Sequence, residues 1–197
     1  MDKDLIEIRL SEYSYDIYSC ISNGFTRAYS HTKSIGHILS STSKANITRD
    51  FIIDEAKSTF PMSSIINGKG NILLVKMDCF LIRFKKLGKK LLAGNIQTSQ
   101  AVKFSNQLSL PDIPSSINLN AGYVLDETKT KIKHIYITCP SSLFTNNWCL
   151  NLAEFIENKF KIKNPPLVEW SIEQEQLQIK VTPAAKAKRT RKKVENE

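Results

Sequence analysis

No apolar run in this chain approaches the roughly 20 residues that a membrane-spanning helix needs. The longest clean runs, such as Ile72–Val75, are strand-sized, so no membrane partner is expected. Cysteine is scarce. Cys20, Cys79, Cys139 and Cys149 have no CxxC spacing, and the nearest pair is ten apart. That argues against a disulfide-dense secreted scaffold and against a local zinc motif, and it predicts reduced thiols and no metal. Seven glycines and seven prolines in 197 residues are too few for a collagenous or low-complexity chain. The segment Met1–Asp4 has acids where a secretory signal needs a basic and then apolar stretch, so the expected location is cytoplasmic. There is no phosphate-binding Gly-rich loop and no Gly-x-Ser-x-Gly elbow. A nucleotide-dependent kinase or ATPase is disfavoured, and no cofactor is expected.

What is present in excess is positive charge, a formal +9, and it is unevenly spread. Residues 1–60 hold seven bases and eight acids. Residues 69–90 hold seven bases against Asp78 alone, and residues 183–197 hold six bases against two acids. The last of these segments has no apolar periodicity and few large side chains, so it is expected to be a disordered basic tail. Such a tail, with Lys188, Arg189, Arg191 and Lys192 at its centre, attracts polyanions of any sequence through counterion release. A merely solubilising end is nearly as good a description of it.

The fold class expected is α+β: N-terminal helices packed on antiparallel β-hairpins, as one domain over 1–182 with the tail at 183–197. Ile17, Cys20, Ile21, Phe25 and Ala28 recur at helical spacing, so helix is expected from about Ser11 to Phe60. Ser40–Asn46 reads as a break, a second helix starts near Asn46, and Pro61 ends it. Ile72–Val75 and Phe80–Phe84 form a hairpin about Lys76-Met77-Asp78. Thr98 caps a helix running to Gln107. A second hairpin pairs Ala121–Leu125 with Ile132–Thr138 across the turn Asp126–Lys131, and Trp148–Leu152 adds a strand before a short helix, Ala153–Phe160. Leu167–Val181 alternates as a final strand-like segment. Helices and hairpins thus come in blocks, without strict β-α-β alternation.

The most informative segment for chemistry is Leu81–Leu87. Arg83 and Lys85 are two apart, so their side chains leave the same face of a strand. Two cations there repel unless an anion lies between them, and an Arg fork beside a Lys point charge suits phosphate. A solvated outer face explains the pair about equally well. With Lys86 these form the expected ligand-facing group, and Gln100 and Gln107, two helical turns apart, are its expected polar support. Charge reversal at Arg83 and Lys85 is expected to remove activity and leave the fold intact. A metal-dependent nuclease would need Asp78, a second carboxylate such as Glu55, and Lys85 or Lys86 together, but Arg83 stands where that pattern wants Glu. His31, His37 and His134 are better explained by packing and hydrogen bonding than by catalysis.

The run Arg83-Phe84-Lys85-Lys86-Leu87 is followed by Asn95, Thr98, Gln100-Ala101, Phe104, Gln107 and Leu110-Pro111, and then by Asn118-Leu119 and Ala121–Asp126. Over about residues 81–152 this pattern resembles a bacterial family, the toxin partner of RosmerTA-type antiphage toxin–antitoxin loci. The resemblance implies a cognate antitoxin as partner, a helix-turn-helix protein with a metallopeptidase-like domain. It carries over no catalytic residues. Together with the two basic segments it leads to the expectation of a toxin-like or antiphage-defence effector that acts on nucleic acid or is tethered to it. A non-enzymatic nucleic-acid-binding regulator or accessory subunit is the alternative, and no motif decides whether the protein is an enzyme.

Overall fold

A computed structural model describes residues 3–68, 72–94, 97–110, 113 and 115–163. These belong to one unit, Met1–Pro165. The segment 167–181, the expected boundary at 182 and the basic tail 183–197 lie outside the described residues.

Three helices precede the sheet: α1 (Lys3–Leu10), α2 (Ser14–Thr32) and α3 (Ser41–Thr59). In α2 the buried positions Ile17, Cys20, Ile21, Gly24 and Ala28 make a continuous stripe at spacings of three and four. In α3 the buried positions Thr48, Ile52 and Ala56 recur every four residues. Gly24 is where the two helices meet, since a Cβ there would lie 2.6 Å from the Ile52 Cα. Two boundaries differ from expectation. Helix already forms at Lys3–Leu10, burying Ile6 and Leu10. The polar stretch read as a break is the first turn of α3, because the Ser40 hydroxyl accepts a hydrogen bond from the Ser43 N–H (3.0 Å) and caps it. The interruption falls instead at residues 33–40. Phe60 and Pro61 end α3 as expected.

Six strands follow in sequence order across one sheet: β1 (Ile65–Gly68), β2 (Ile72–Met77), β3 (Phe80–Lys86), β4 (Ile117–Leu125), β5 (Ile132–Pro140) and β6 (Asn146–Asn151). The β2–β3 hairpin turns on Asp78, whose φ of 49° is one that Asp tolerates better than most residues. The β4–β5 hairpin turns through Asp126–Lys131. All neighbours are antiparallel except β3 and β4, which run parallel. The chain crosses between them through α4 (Ser99–Ser105), capped by the Thr98 hydroxyl. The expected block arrangement therefore contains one β-α-β unit. Parallel neighbours cannot be joined by a tight turn, and here α4 lies in the crossover between them. A last helix, α5 (Leu152–Lys163), follows β6 directly.

One face of the sheet buries Val75, Phe80, Ile82, Leu119, Ile135 and Ile137 against α1, α2, α3 and α5. Full burial of each such side chain is worth about 1.5–3 kcal/mol. The other face carries a smaller cluster, Leu74 and Leu81 against Phe104 and Leu110. The α+β reading thus holds, with helices on both faces in unequal numbers.

Candidate functional site

β2 pairs with β3 only as far as Ile82, so Arg83 to Lys86 have β4 on one side and no described strand on the other. Alternation sends Arg83 toward the α4 face with Leu81 and Phe84 toward the helical face, and beyond Phe84 both Lys85 and Lys86 line a groove with the start of α3. The three cations of this strand therefore divide: Arg83 is buried, while Lys85 and Lys86 share a groove and Lys86 lines a second cleft as well.

Arg83 is 4% exposed. Its Nε and Nη2 both donate to the Asn120 side-chain carbonyl (3.3 and 3.1 Å), and its guanidinium lies 4.2 Å from the centre of the Phe104 ring. No carboxylate pairs with it among the described residues. Burial accordingly pushes its pKa down to about 10. Arg83 does not face solvent. It ties β3 to β4 and α4.

Lys85 is half-buried at the edge of a groove of about 500 Å³, with Arg49, Asn46 and the first residues of α3 opposite. Burial first, and then the charges of Arg83 and Arg49, bring the Lys85 amine down to about 8. Lys86 is in register with Tyr123 and lines both this groove and a neighbouring cleft of about 340 Å³. Burial and the charge of Lys129 lower its pKa. Lys33, Lys44 and Lys129 also line that cleft, and no Asp or Glu lines either cavity. Arg49 pairs with its sequence neighbour Asp50 (2.9 Å). Among the described residues, none of the five lysines pairs with a carboxylate.

Asp126, which opens the β4–β5 turn, is held within that turn. Its carboxylate accepts from the Thr128 hydroxyl and from the Thr130 and Lys131 N–H groups. The Thr128 hydrogen bond leads the lowering of its pKa. That turn places Lys129, at a φ of 58°, on the rim of the cleft. The cleft's apolar side is aromatic. Tyr123 is buried and its phenol is pushed up to about 12 by burial. Phe25 packs on it at 5.7 Å, and the exposed Tyr29 stacks near-parallel on Phe25 at 6.3 Å.

Gln107 lies past the end of α4, which stops at Ser105, so Gln100 and Gln107 do not share a helix face. Gln107 Nε2 donates to the carbonyls of Asn118 and Pro140 (2.8 Å each), and its Oε1 accepts from the Asn118 N–H (2.8 Å). Its side chain is committed to joining α4 to β4 and β5. Gln100 is half-buried on α4. Lys188, Arg189, Arg191 and Lys192 lie outside the described residues.

The nuclease arrangement does not assemble. Asp78 pairs with Arg9 at the β2–β3 turn, and Glu55 pairs with Arg27. Asp78 is in the turn before β3, and Lys85 lies five residues beyond the strand's start at Phe80, roughly 16 Å at a strand rise of about 3.3 Å per residue. Among the described residues, no group of three His, Cys, Asp or Glu could hold a metal ion. No helix of the described residues is long and apolar enough to cross a membrane. All four cysteines are free thiols. His31 Nδ1 donates to the Arg27 carbonyl (2.8 Å) and the ring packs on Phe51 beside the Arg27 guanidinium, a structural setting.

Lys85 and Lys86 were visible in the sequence as a basic pair. Lys33, Lys44, Arg49 and Lys129 were not, because they come from the α2 end, α3 and the β4–β5 turn and meet only in the fold. The chain matches no protein-family model, no curated protein and no solved structure.

Proposed function

We propose that this chain is a toxin-like or defence effector of a bacterial two-gene locus, directed at nucleic acid and held in check by a cognate antitoxin. The RosmerTA-like pattern supports the locus and the partner. The observation that carries the nucleic-acid half is the charge at one end of the sheet. Six cations line two adjoining cavities that share Lys86, and no carboxylate lines either. Like charges held this close, with two amines already depressed, oppose folding unless something else rewards them. A phosphate chain supplies that reward: it neutralises several cations at once and releases its own counterions.

Induced expression without the neighbouring gene tests the reading. Growth should slow, co-expression of the neighbour should relieve it, and charge reversal at Lys44 and Lys129 should relieve it too. Unimpaired growth with unchanged DNA and RNA would overturn the effector reading. Binding that survives with no cleavage, with magnesium or manganese supplied, would favour a regulator or accessory subunit.

A further inference from the structure

The two cavities differ in more than size. The groove at Lys85 and Arg49 is lined by cations, small polar residues and the glycine-containing loop 87–94. The cleft at Lys86 and Lys129 has an aromatic side and is also lined by Thr32, Thr48, Thr128 and Thr130. Its volume, about 340 Å³, lies at the lower end of cavities that hold a small molecule, room for about one nucleotide. A phosphate chain alone needs no aromatic wall.

Phe25 and Tyr29 are one helical turn apart on α2, and Phe25 is braced from below by the buried Tyr123. Tyr29, 40% exposed, is therefore the open end of a supported row of three rings, near-parallel to Phe25, which in turn meets Tyr123 at a tilt of 59°. An aromatic face held in place this way is useful to a base that has left its own stack, and bases inside a duplex offer no free face. The lysines stand on the other walls: Lys44 on α3, Lys86 on β3 and Lys129 on the turn.

We propose that this cleft takes one unpaired base of a single nucleic-acid strand against Tyr29, with its phosphate on Lys44, Lys86 and Lys129 and the adjoining phosphate in the groove at Arg49 and Lys85. The inference rests on the polyanion-binding reading above and sharpens it: the ligand is a single strand, and part of its affinity comes from a base. Lys86 faces both cavities and joins the two phosphate positions. The ligand chemistry, an unpaired base on a phosphodiester, is common to single-stranded DNA and RNA.

The test uses the full chain and labelled 12-nucleotide probes: single-stranded DNA, single-stranded RNA, the same lengths built from abasic units, and a duplex. Affinity is read by fluorescence anisotropy at one fixed salt. The base-bearing single strands should bind about tenfold or more tighter than the abasic strands, the range expected for one stacked base. Tyr29→Ala should abolish that difference and leave abasic binding unchanged, and Tyr29→Phe should retain it. The tighter of the DNA and RNA probes identifies the strand. Equal binding of base-bearing, abasic and duplex probes would overturn the base pocket and leave polyanion binding standing. A base preference untouched by Tyr29→Ala would overturn it as well. Failure of every probe to bind at low salt would instead remove the reading on which the pocket depends.

Discussion

Two cations of one strand, Arg83 and Lys85, have opposite fates here, and substitution should separate them. Arg83 is buried between Asn120 and Phe104. Arg83→Glu buries an unpaired carboxylate against an amide carbonyl and should lower unfolding free energy by about 3–5 kcal/mol in urea titration. This reverses the expectation that charge reversal at Arg83 leaves the fold intact. Lys85→Glu, at a half-buried edge among cations, should leave stability nearly unchanged and weaken nucleic-acid binding. Lys85 also predicts a pH dependence. With its pKa near 8, it is charged at pH 7 and largely neutral at pH 9, so affinity should fall as pH rises through about 8. Lys85→Arg should remove that step, because Arg stays charged. The linked effect on the free protein has the opposite sign. The folded pKa lies below the usual lysine value, so the penalty for the buried charge is full below about 8 and is relieved as pH rises from there toward the unfolded pKa. An affinity that is flat from pH 7 to 9 would show that Lys85 touches no anion.

Among the elements, those with strong local signals were legible in advance. The hairpin of Ile72–Val75 with Phe80–Phe84, the Thr98 cap and the turn Asp126–Lys131 all stand where the chain says they should. What escaped depends on contacts between distant segments. Gly24 weakens a helix by propensity, yet it lets α2 approach the α3 backbone at Ile52. Gly122 has no local rationale, yet a Cβ there would lie 2.4 Å from the Lys85 carbonyl oxygen and 2.6 Å from the Leu87 Cγ. Gln107 reads as the wet side of a helix and is instead a clamp. Many residues that carry the RosmerTA-like pattern, including Arg83, Thr98, Phe104, Gln107 and Asn118, build this β3–α4–β4 crossover. Gly24→Ala and Gly122→Ala should each cost about 1–3 kcal/mol, and Gly122→Ala should also weaken binding by displacing the backbone at Lys85. Gly94→Ala, with nothing within 4 Å of the new methyl, is the matched control and should be neutral. Thermal melts of the three variants check the ranking.

For the molecule as a whole, the described residues, with twenty bases and twelve acids, hold +8 of the formal +9. At the basic end, the α2 C-terminus, the α3 N-terminus, the strand ends of β3 and β4 and the Asp126–Lys131 turn bring together cations that are up to about a hundred residues apart in sequence. Composition shows the excess but cannot show that convergence, which is why the strand pair was legible and the site was not. The most direct measurement is the salt dependence of single-strand affinity in a full-length chain with Lys186, Lys188, Arg189, Arg191, Lys192 and Lys193 changed to Gln. If the basic end is the site, this chain should still bind, with log affinity falling linearly against log salt at a slope of about −0.7 per phosphate contacted. Adding Lys44→Glu, Lys86→Glu and Lys129→Glu should then abolish binding. Loss of binding on neutralising residues 186–193 alone, or binding indifferent to the three cleft reversals, would contradict the assignment.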